Sequence, residues 1–383
     1  MGKGSSNAAV AQLFGRLSCF LGCYDVAAAV VHRSATCVVA DAVEVTASKP
    51  VAIKRMRHRD QFERELRMRY GGGRDVSACI IGVDAWHVPA TQRADFVFEG
   101  RQPEPAPTDL VGDVEYPYVA VMPRGERSLF HAMASERIAG INVAAVAHLM
   151  RRMVLRVQQL HAQGLAHGNL KPRNLLRVAS DEFGALGDVM ICDMDAAVPL
   201  GSPRPLDLKT STGYCPPELQ VRLCAGGGAA WLPELIVCPS FDVWGIGVIL
   251  FELATGRTLF TQDIASDNLV DAAGRTKLCV WRYVSAAQLQ SVFADAEDCS
   301  EQRREDAKHL LAWILRGDPR SSGPASSRCW RAASSARTAP RPRWPCRCCT
   351  TTPSSATRRR RRRARWARST TRSRCSASTA GAT

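Results

Sequence analysis

Short apolar runs rich in valine mark the first part of the chain and predict β-strands. A charged stretch at residues 61–70 has helical spacing and predicts an amphipathic helix. A triple-glycine break and the prolines Pro103, Pro105 and Pro107 then precede the last of the strands. The predicted strands are residues 35–45, 50–56 and 118–122.

Helical patterns dominate after Pro123. Asn142 is placed to cap a long helix, and residues 241–254 are apolar on nearly every face, which is typical of a helix through the middle of a core. That helix is predicted to end at Gly256. The fold class is therefore α+β, with a small strand-rich lobe followed by a larger helical lobe and no internal repeat.

Charge is distributed unevenly along the 383 residues. The formal charge of +15 comes from the last 65 residues, which carry 17 Arg and no acidic residue, whereas residues 1–318 hold 34 basic and 36 acidic side chains. The net charge of that part is −2. A basic surface for nucleic acid or anionic membrane is excluded for the part that can form a core.

The segment 319–383 has an unusual composition. It contains only Ala, Gly, Pro, Arg, Ser, Thr, Cys and Trp, whose codons have G or C at the second position. A GC-rich gene read out of frame produces this bias, so we interpret the segment as an out-of-frame, disordered tail that begins after Asp318. The other interpretation is a nucleic-acid-binding arm, because arginines fill positions 358–363 and Trp366 is close by.

The cysteines and the N-terminus predict a soluble, cytoplasmic protein. The ten cysteines before residue 319 show no paired spacing typical of zinc ligands and follow no secretory leader. The best hydrophobic stretch, residues 10–31, is interrupted by Arg16 and Asp25, so no membrane span is predicted. Residues 1–6 fit a loose N-myristoylation pattern, which leaves a weak lipid anchor or a flexible N-terminus over residues 1–27 as alternatives.

Several polar positions interrupt apolar runs in a fixed order. Lys54 lies on a strand that is otherwise made for burial, and Glu65 follows eleven residues later on the predicted helix. An apolar strand at 189–192 leads into Asp193. The remaining motifs are His167-Gly168-Asn169-Leu170-Lys171-Pro172-Arg173-Asn174, Thr212-Gly213-Tyr214-Cys215-Pro216-Pro217-Glu218 and Phe241-Asp242-Val243-Trp244-Gly245.

In this order and spacing the motifs resemble the signature set of the eukaryotic protein kinases. The resemblance covers residues 28–318 and implies a bilobal fold with an N-lobe at about 28–122 and a C-lobe at about 123–318. The resemblance assigns Lys171, two residues after position 169, as a catalytic residue, and a lysine there is similar to the Ser/Thr class of kinases and not to the tyrosine class. The resemblance implies ATP and Mg²⁺ as cofactors and a protein substrate or signalling partner, which the sequence does not identify.

The resemblance also assigns roles to single residues. Lys54 would bind the α- and β-phosphates of ATP and Glu65 would orient it. Met122 and Pro123 would receive the adenine. Asn174 and Asp193 would hold Mg²⁺. Glu218 and Asp242 are interpreted as structural, the first as an ion pair within the lobe and the second as a helix cap, with Trp244 in the core.

The chain departs from the family pattern at the catalytic residues. Asn169 stands at the position of the catalytic base, and an amide has no useful basicity near pH 7. Gly168 replaces an arginine, and Asp195 replaces the third residue of the D-F-G motif. The phosphate-covering loop at residues 31–38 has no glycine, which predicts weaker ATP binding.

Another departure concerns the partner of Glu218. The family pattern expects an arginine where the chain has Ser322, so that carboxylate is predicted to lack its ion-pair partner.

Three functions follow as alternatives. The first is a pseudokinase-like domain that binds ATP and presents a surface to partners. The second is an active, slow Ser/Thr protein kinase. The third is a non-catalytic scaffold, a nonfunctional gene product or a nucleic-acid binder acting through the Arg-rich tail.

Overall fold

The computed structural model describes Phe14 and residues 20–97, 100–104, 115–226 and 234–317. Residues 1–6, the segment 319–383 and Ser322 lie outside these ranges, so the lipid-anchor, tail and frame hypotheses stay predictions. The predicted order of a strand-rich lobe followed by a helical lobe is confirmed.

The strand-rich lobe contains one antiparallel sheet with the strand order β1-β2-β3-β5-β4. Val38, Ala40 and Ile53 belong to the apolar core on one face of the sheet. Helix α1 covers the other face with Phe62 and Leu66. The predicted strands and the predicted helix are therefore present. Their bounds are β1 Tyr24–Arg33, β2 Cys37–Glu44, β3 Lys49–Met56, α1 Arg59–Tyr70, β4 Ala85–His87 and β5 Tyr118–Pro123.

This lobe begins earlier than the predicted residue 28, because β1 starts at Tyr24. Phe14 and Phe20 are also buried, with ring centroids 5.6 Å apart. The Arg55 guanidinium lies 5.6 Å and 5.8 Å from these two rings. The aromatic residues cover the open face of the sheet and the buried arginine, so residues before 28 belong to the fold.

The helical lobe is built around α5, whose side chains from Phe241 to Ala254 are all buried. Asn142 Oδ1 accepts a hydrogen bond from the backbone N–H of Ala145 at 2.9 Å, which confirms the predicted cap, and Gly256 ends α5 with a left-handed φ of 69°. The helices are α2 Leu129–Ser135, α3 Val143–Ala162, α4 Pro217–Ala225, α5 Ser240–Thr255, α6 Ala272–Cys279, α7 Ala286–Gln290 and α8 Glu301–Ile314.

Two small sheets hold the loops that carry the predicted catalytic residues. One has the strand order β6-β8-β9 and the other pairs β10 with β7. Residues 167–174 lie between β7 and β8, and residues 192–197 lie between β9 and β10. The strands are β6 Arg127–Ser128, β7 Leu165–Ala166, β8 Leu175–Val178, β9 Asp188–Ile191 and β10 Val198–Pro199.

Across the ranges that the structure covers, no helix combines the length and the apolar character that crossing a bilayer requires.

Candidate active site

Lys54, predicted as a site residue, is buried and paired with two carboxylates. Its position on β3 is opposite Ala120 of β5, and its side chain is only 6% exposed. Nζ lies 2.7 Å from Glu65 Oε2 and 2.5 Å from Asp193 Oδ1. Burial alone would lower the pKa of Lys54, but the carboxylates of Asp193 and Glu65 raise it well above its ordinary value, so the amine stays charged.

Glu65 is held between two cations. Besides Lys54, Arg69 one turn further along α1 lies 2.7 Å from Glu65 Oε1. Burial acts to raise the pKa of Glu65, but Lys54 and Arg69 lower it below the ordinary value. The predicted pairing of Lys54 with Glu65 is therefore present, and it is strengthened by an arginine that the sequence pattern had not singled out.

Asp193 lies between two lysines. Lys54 contacts one carboxylate oxygen, and Lys209 Nζ lies 3.1 Å from the other, Oδ2. Burial acts against ionisation, but the positive charges of Lys209 and Lys54 hold the pKa of Asp193 well below its usual range. Lys209 comes from the segment 193–218, which corresponds to the activation segment of the resemblance.

Asp195 ties this segment to helix α1. Its side chain is 1% exposed, and Oδ2 accepts a hydrogen bond from Gln61 Nε2 and lies 3.5 Å from Lys209 Nζ. Burial and the neighbouring charge of Asp193 raise its pKa. The six ionisable groups of the cluster balance as three cations and three carboxylates: Lys54, Arg69 and Lys209 against Glu65, Asp193 and Asp195.

The loop at residues 167–174 brings Asn169 and Asn174 together. Asn174 Nδ2 donates to the backbone oxygen of Asn169 at 3.0 Å. The side-chain Oδ1 of Asn169 accepts from the backbone N–H of Ser211, also at 3.0 Å. Asn169 Nδ2 is buried, and within the ranges covered by the structure it has no hydrogen-bond partner.

Lys171 is buried in the same loop. Its Nζ donates to Ser211 Oγ at 2.8 Å and to Asp267 Oδ2 at 2.7 Å. Asp267 also accepts from Arg173 Nε at 3.2 Å and is 3% exposed. One internal carboxylate therefore pairs with both cations of this loop, and nothing in the sequence pattern had pointed to Asp267.

Asp242 is structural, but the prediction that it caps its helix is wrong. Its carboxylate accepts from the backbone N–H of His167 at 2.8 Å and of Gly168 at 2.9 Å, and it contacts His161 Nε2. The residue is in the first turn of α5, where it can reach the neighbouring loop instead of its own helix end. Asp242 therefore fixes the start of the loop that carries Asn169.

Gly168 has a steric role in that loop. Its φ is +73°, and a Cβ atom there would lie 2.5 Å from the backbone oxygen of Ala196. The arginine expected at this position cannot be accommodated without moving the backbone of the activation segment.

We expect Gly168→Ala to lower the free energy of unfolding by on the order of 3 kcal/mol, because positive φ and a backbone clash both oppose a side chain. Gly201→Ala is the matched control, since Gly201 has φ +83° but no atom within 4 Å of the added Cβ. The control should cost about 1 kcal/mol. Urea unfolding of both variants checks this, and equal losses would contradict the clash with Ala196.

Met122 and Pro123 end β5, opposite Ala52 and Val51 of β3. Met122 is 8% exposed and packs among the apolar side chains beneath the sheet. These two residues lie one strand away from Lys54.

Glu218 is half-buried in the first turn of α4, and burial raises its pKa. Among the described residues Glu218 has no ion pair, and Ser322, where the family pattern expects the arginine partner, lies outside them, so the predicted loss of that partner stays a prediction.

Another buried carboxylate, Glu252, contacts Tyr214 of the activation segment. The Tyr214 hydroxyl donates to its two oxygens at 2.9 Å, and Gln262 Nε2 lies 3.3 Å from Oε1. Burial raises the pKa of Glu252 to about 8. A carboxyl with a raised pKa destabilises the folded state as it ionises, from about pH 4.5 up to about pH 8.

Glu252→Gln should remove this pH dependence. We expect the stability of the unmodified protein, relative to Glu252→Gln, to fall by on the order of 3 kcal/mol between pH 5 and pH 8 and then to level off. Urea unfolding across this range measures it. Glu305→Gln is the control, because Glu305 is exposed and its pKa is lowered, so it does not titrate in this window. A constant difference between the unmodified protein and Glu252→Gln would disprove the raised pKa.

The site therefore unites Lys54, Glu65 and Asp193 in one ionic cluster and Asn169, Lys171 and Asn174 in one loop. Besides Arg69, sequence reasoning missed Lys209, Gln61 and Asp267. A charged residue inside the activation segment was the only available signal for Lys209, and no local pattern marks the other two.

Comparison with known proteins identifies the family. The family model described as protein kinase domain matches residues 113–326, more than half of the chain, and begins after the strand that carries Lys54.

Similar curated proteins include the serine/threonine-protein kinase US3 homolog of varicella-zoster virus, 27% identical over 42% of this chain and 37% of that protein. The maternal embryonic leucine zipper kinase of Xenopus tropicalis is 28% identical over 44% of this chain and 24% of that protein. Human serine/threonine-protein kinase D2 is 23% identical over 58% of this chain and 25% of that protein. The match thus spans 24% to 37% of these relatives' lengths. Its motifs, its α+β bilobal architecture and the matched family model together show that the chain belongs to the protein kinase domain family.

Proposed function

We propose that the chain is a Ser/Thr-type protein kinase domain that binds ATP with Mg²⁺ and in which phosphotransfer to protein hydroxyls is impaired. The observation that carries the proposal is Asn169. Its only side-chain acceptor, Oδ1, already accepts from Ser211 N–H, and Nδ2 cannot accept a proton.

Nucleotide binding is supported by the Lys54 cluster. The lysine is charged, buried and oriented by Glu65, which is the arrangement that stabilises phosphate oxygens. Arg69 contacts the other carboxylate oxygen of Glu65, so Glu65 is held between the two cations. Met122 and Pro123, at the end of β5, are proposed to contact the adenine.

The oxygen donors fit a hard divalent cation. Asp193 supplies a carboxylate, and Asn174 uses its NH₂ group to bond Asn169, which leaves its amide oxygen as a metal donor. Mg²⁺ bound there would neutralise phosphate charge. Lys209 Nζ pairs with Asp193 Oδ2, so the lysine has to move away or share that carboxylate when the metal binds. No set of three or more His, Cys, Asp or Glu side chains that could hold a metal is present in the ranges described.

Impaired phosphotransfer is supported by the surroundings of the missing base. An aspartate would accept a substrate hydroxyl proton, and losing a positioned base costs about 10²- to 10⁴-fold in rate. The ammonium group of Lys171 is already paired with Asp267, so it is less able to bind a phosphate.

The loop between β1 and β2 supports weak phosphate contact. Ser34 Oγ accepts from the backbone N–H of Cys37 at 3.1 Å and of Thr36 at 3.3 Å, so two backbone donors are already satisfied inside the loop. His32 precedes this loop, and burial, with the charge of Lys209, lowers its pKa to about 4. The imidazole is therefore neutral at physiological pH and adds no charge for phosphate.

The nucleotide site is tested by Lys54→Met. We expect ATP affinity, measured by calorimetry with Mg²⁺ present, to fall at least roughly tenfold, because a charge-assisted contact contributes about 1.5–3 kcal/mol. Lys49→Met is the matched control, since Lys49 begins the same strand and its pair with Asp84 is exposed. Circular dichroism and Lys54→Arg separate lost binding from lost folding. Unchanged affinity in a folded Lys54→Met protein would remove Lys54 from the site.

An active but slow Ser/Thr kinase is the second candidate. The hydrogen bond from Lys171 to Ser211 favours it, because that contact joins the catalytic loop to the activation segment. A protein substrate, a signalling role and a cytoplasmic location belong to the same proposal. A nucleic-acid-binding tail lies outside the described residues.

A further inference from the structure

Two cysteines on neighbouring helices lie in contact on the helical lobe. Cys224, near the end of α4, and Cys279, the last residue of α6, are both free thiols, and their sulfur atoms are 3.7 Å apart. Cys224 is exposed and Cys279 is half-buried. A disulfide requires a sulfur separation of about 2.0 Å, so side-chain rotation and a small shift of the helix ends would close the gap.

The surroundings distinguish the two sulfur atoms. Gln220 Nε2 donates to Cys224 Sγ at 3.1 Å, and the thiol of Cys279 donates to the same sulfur. Gln220 is held in this orientation because its Oε1 accepts from the thiol of Cys215 at 3.6 Å. Burial and the hydrogen bond to Cys224 raise the pKa of Cys279 to about 11, so Cys279 stays a thiol at neutral pH.

Small molecules can reach the exposed member of the pair. Cys224 lines an open pocket of about 510 Å³ between the activation segment and helices α4 and α6. Thr210 and Thr212 line it from the activation segment, and Arg275 lines it from α6. A reagent in this pocket therefore meets Cys224, whose sulfur lies 3.7 Å from that of Cys279.

We propose that Cys224 and Cys279 form a reversible, oxidant-driven disulfide that links α4 to α6 beside the activation segment. The oxidant class is a hydroperoxide, with hydrogen peroxide as the simplest member. The sulfur of Cys224 attacks one peroxide oxygen, the O–O bond breaks, and a sulfenic acid and water result. The sulfur of Cys279 then attacks Cys224, the S–O bond breaks and a second water leaves. Two thiols and one peroxide therefore give one disulfide and two waters.

The bridge would act on the activation segment. Helix α4 begins at Pro217, at the end of that segment. Cys224 lines the same pocket as Thr210 and Thr212 of the segment. A disulfide between α4 and α6 would restrict the relative motion of these two helices, which both line the pocket. The proposal is independent of the nucleotide site, because neither cysteine contacts Lys54 or Asp193.

The full chain is treated with hydrogen peroxide, alkylated without reduction and mapped by peptide mass spectrometry. The expected product is a peptide pair joined through Cys224 and Cys279 that dithiothreitol separates. In Cys279→Ser the reaction should stop at the sulfenic acid, so dimedone should label Cys224 roughly tenfold faster than Cys238, a half-buried cysteine elsewhere. Cys224→Ser should remove both the linked peptide and the label, whereas Cys238→Ser should leave them unchanged.

Two results would overturn the proposal. The first is a treated protein in which both cysteines are still alkylated while other cysteines have reacted. The second is dimedone labelling of Cys224 no faster than that of Cys238. If Cys279→Ser does not fold, the linked peptide in the unmodified chain and its loss on reduction still decide the question.

Discussion

Asn169→Asp is expected to raise the rate of phosphotransfer by about 10²- to 10⁴-fold. The aspartate would keep one oxygen on Ser211 N–H and place the second oxygen where Nδ2 now lies buried without a partner in the described ranges. Lys171, 2.8 Å from Ser211 Oγ, would stay near this new charge. The measurement is ADP release, with a serine-containing peptide and Mg²⁺, by the unmodified and substituted proteins.

Asn142→Asp is the matched control for this substitution. It makes the same chemical change at the N-cap of α3, where aspartate caps a helix as well as asparagine does. The control should leave the rate unchanged. If Asn169→Asp is no faster than the unmodified protein, the missing base does not limit the reaction, and the Lys171–Asp267 pair becomes the obstacle to remove.

Lys209→Ala is expected to open the site to divalent cations. The substitution removes the ammonium group that lies 3.1 Å from Asp193 Oδ2 and 3.5 Å from Asp195 Oδ2, so the two carboxylates repel each other. Without metal we expect the free energy of unfolding to fall by roughly 1–3 kcal/mol, a reduced value because the lysine side chain is 29% exposed. Added Mn²⁺ should restore that loss by binding the carboxylates of Asp193 and Asp195 in place of the ammonium group.

Thermal unfolding and the electron paramagnetic resonance signal of free Mn²⁺ both measure this effect without nucleotide. The unmodified protein should bind Mn²⁺ roughly tenfold more weakly than Lys209→Ala, which corresponds to about 1.4 kcal/mol. Lys308→Ala, which removes a surface lysine paired with Glu305, is the control and should behave like the unmodified protein. Equal Mn²⁺ binding by all three proteins would mean that Lys209 does not compete with the metal.

Lys209 and Asp267 are internal partners of buried charges in the candidate site. Lys209 pairs with Asp193, the carboxylate proposed to bind metal, and Asp267 pairs with Lys171 in the loop at residues 167–174. Each internal partner removes the cost of an unpaired buried charge. In the proposed function, a bound metal or phosphate has to displace these partners or share their charges, which favours weak nucleotide binding.

The sequence by itself determined the elements and their order. Valine-rich strands, the Asn142 cap, the all-round apolar helix and the Gly256 stop depend on neighbours within a few residues, and each is present in the structure. The pairing of Lys54 with Glu65 was also predictable, because a buried lysine needs a carboxylate and the motif spacing identified one.

Only the tertiary structure decided which charges meet across the fold. Lys209 reaches Asp193 from 16 residues away and Asp267 reaches Lys171 from 96 residues away, and no local periodicity encodes such contacts. The start of the first lobe was missed for the same reason, because Phe14 and Phe20 are buried against Arg55 of a later strand. Local patterns follow from backbone geometry, whereas pairs of buried charges and aromatic residues follow from which surfaces the completed fold brings together.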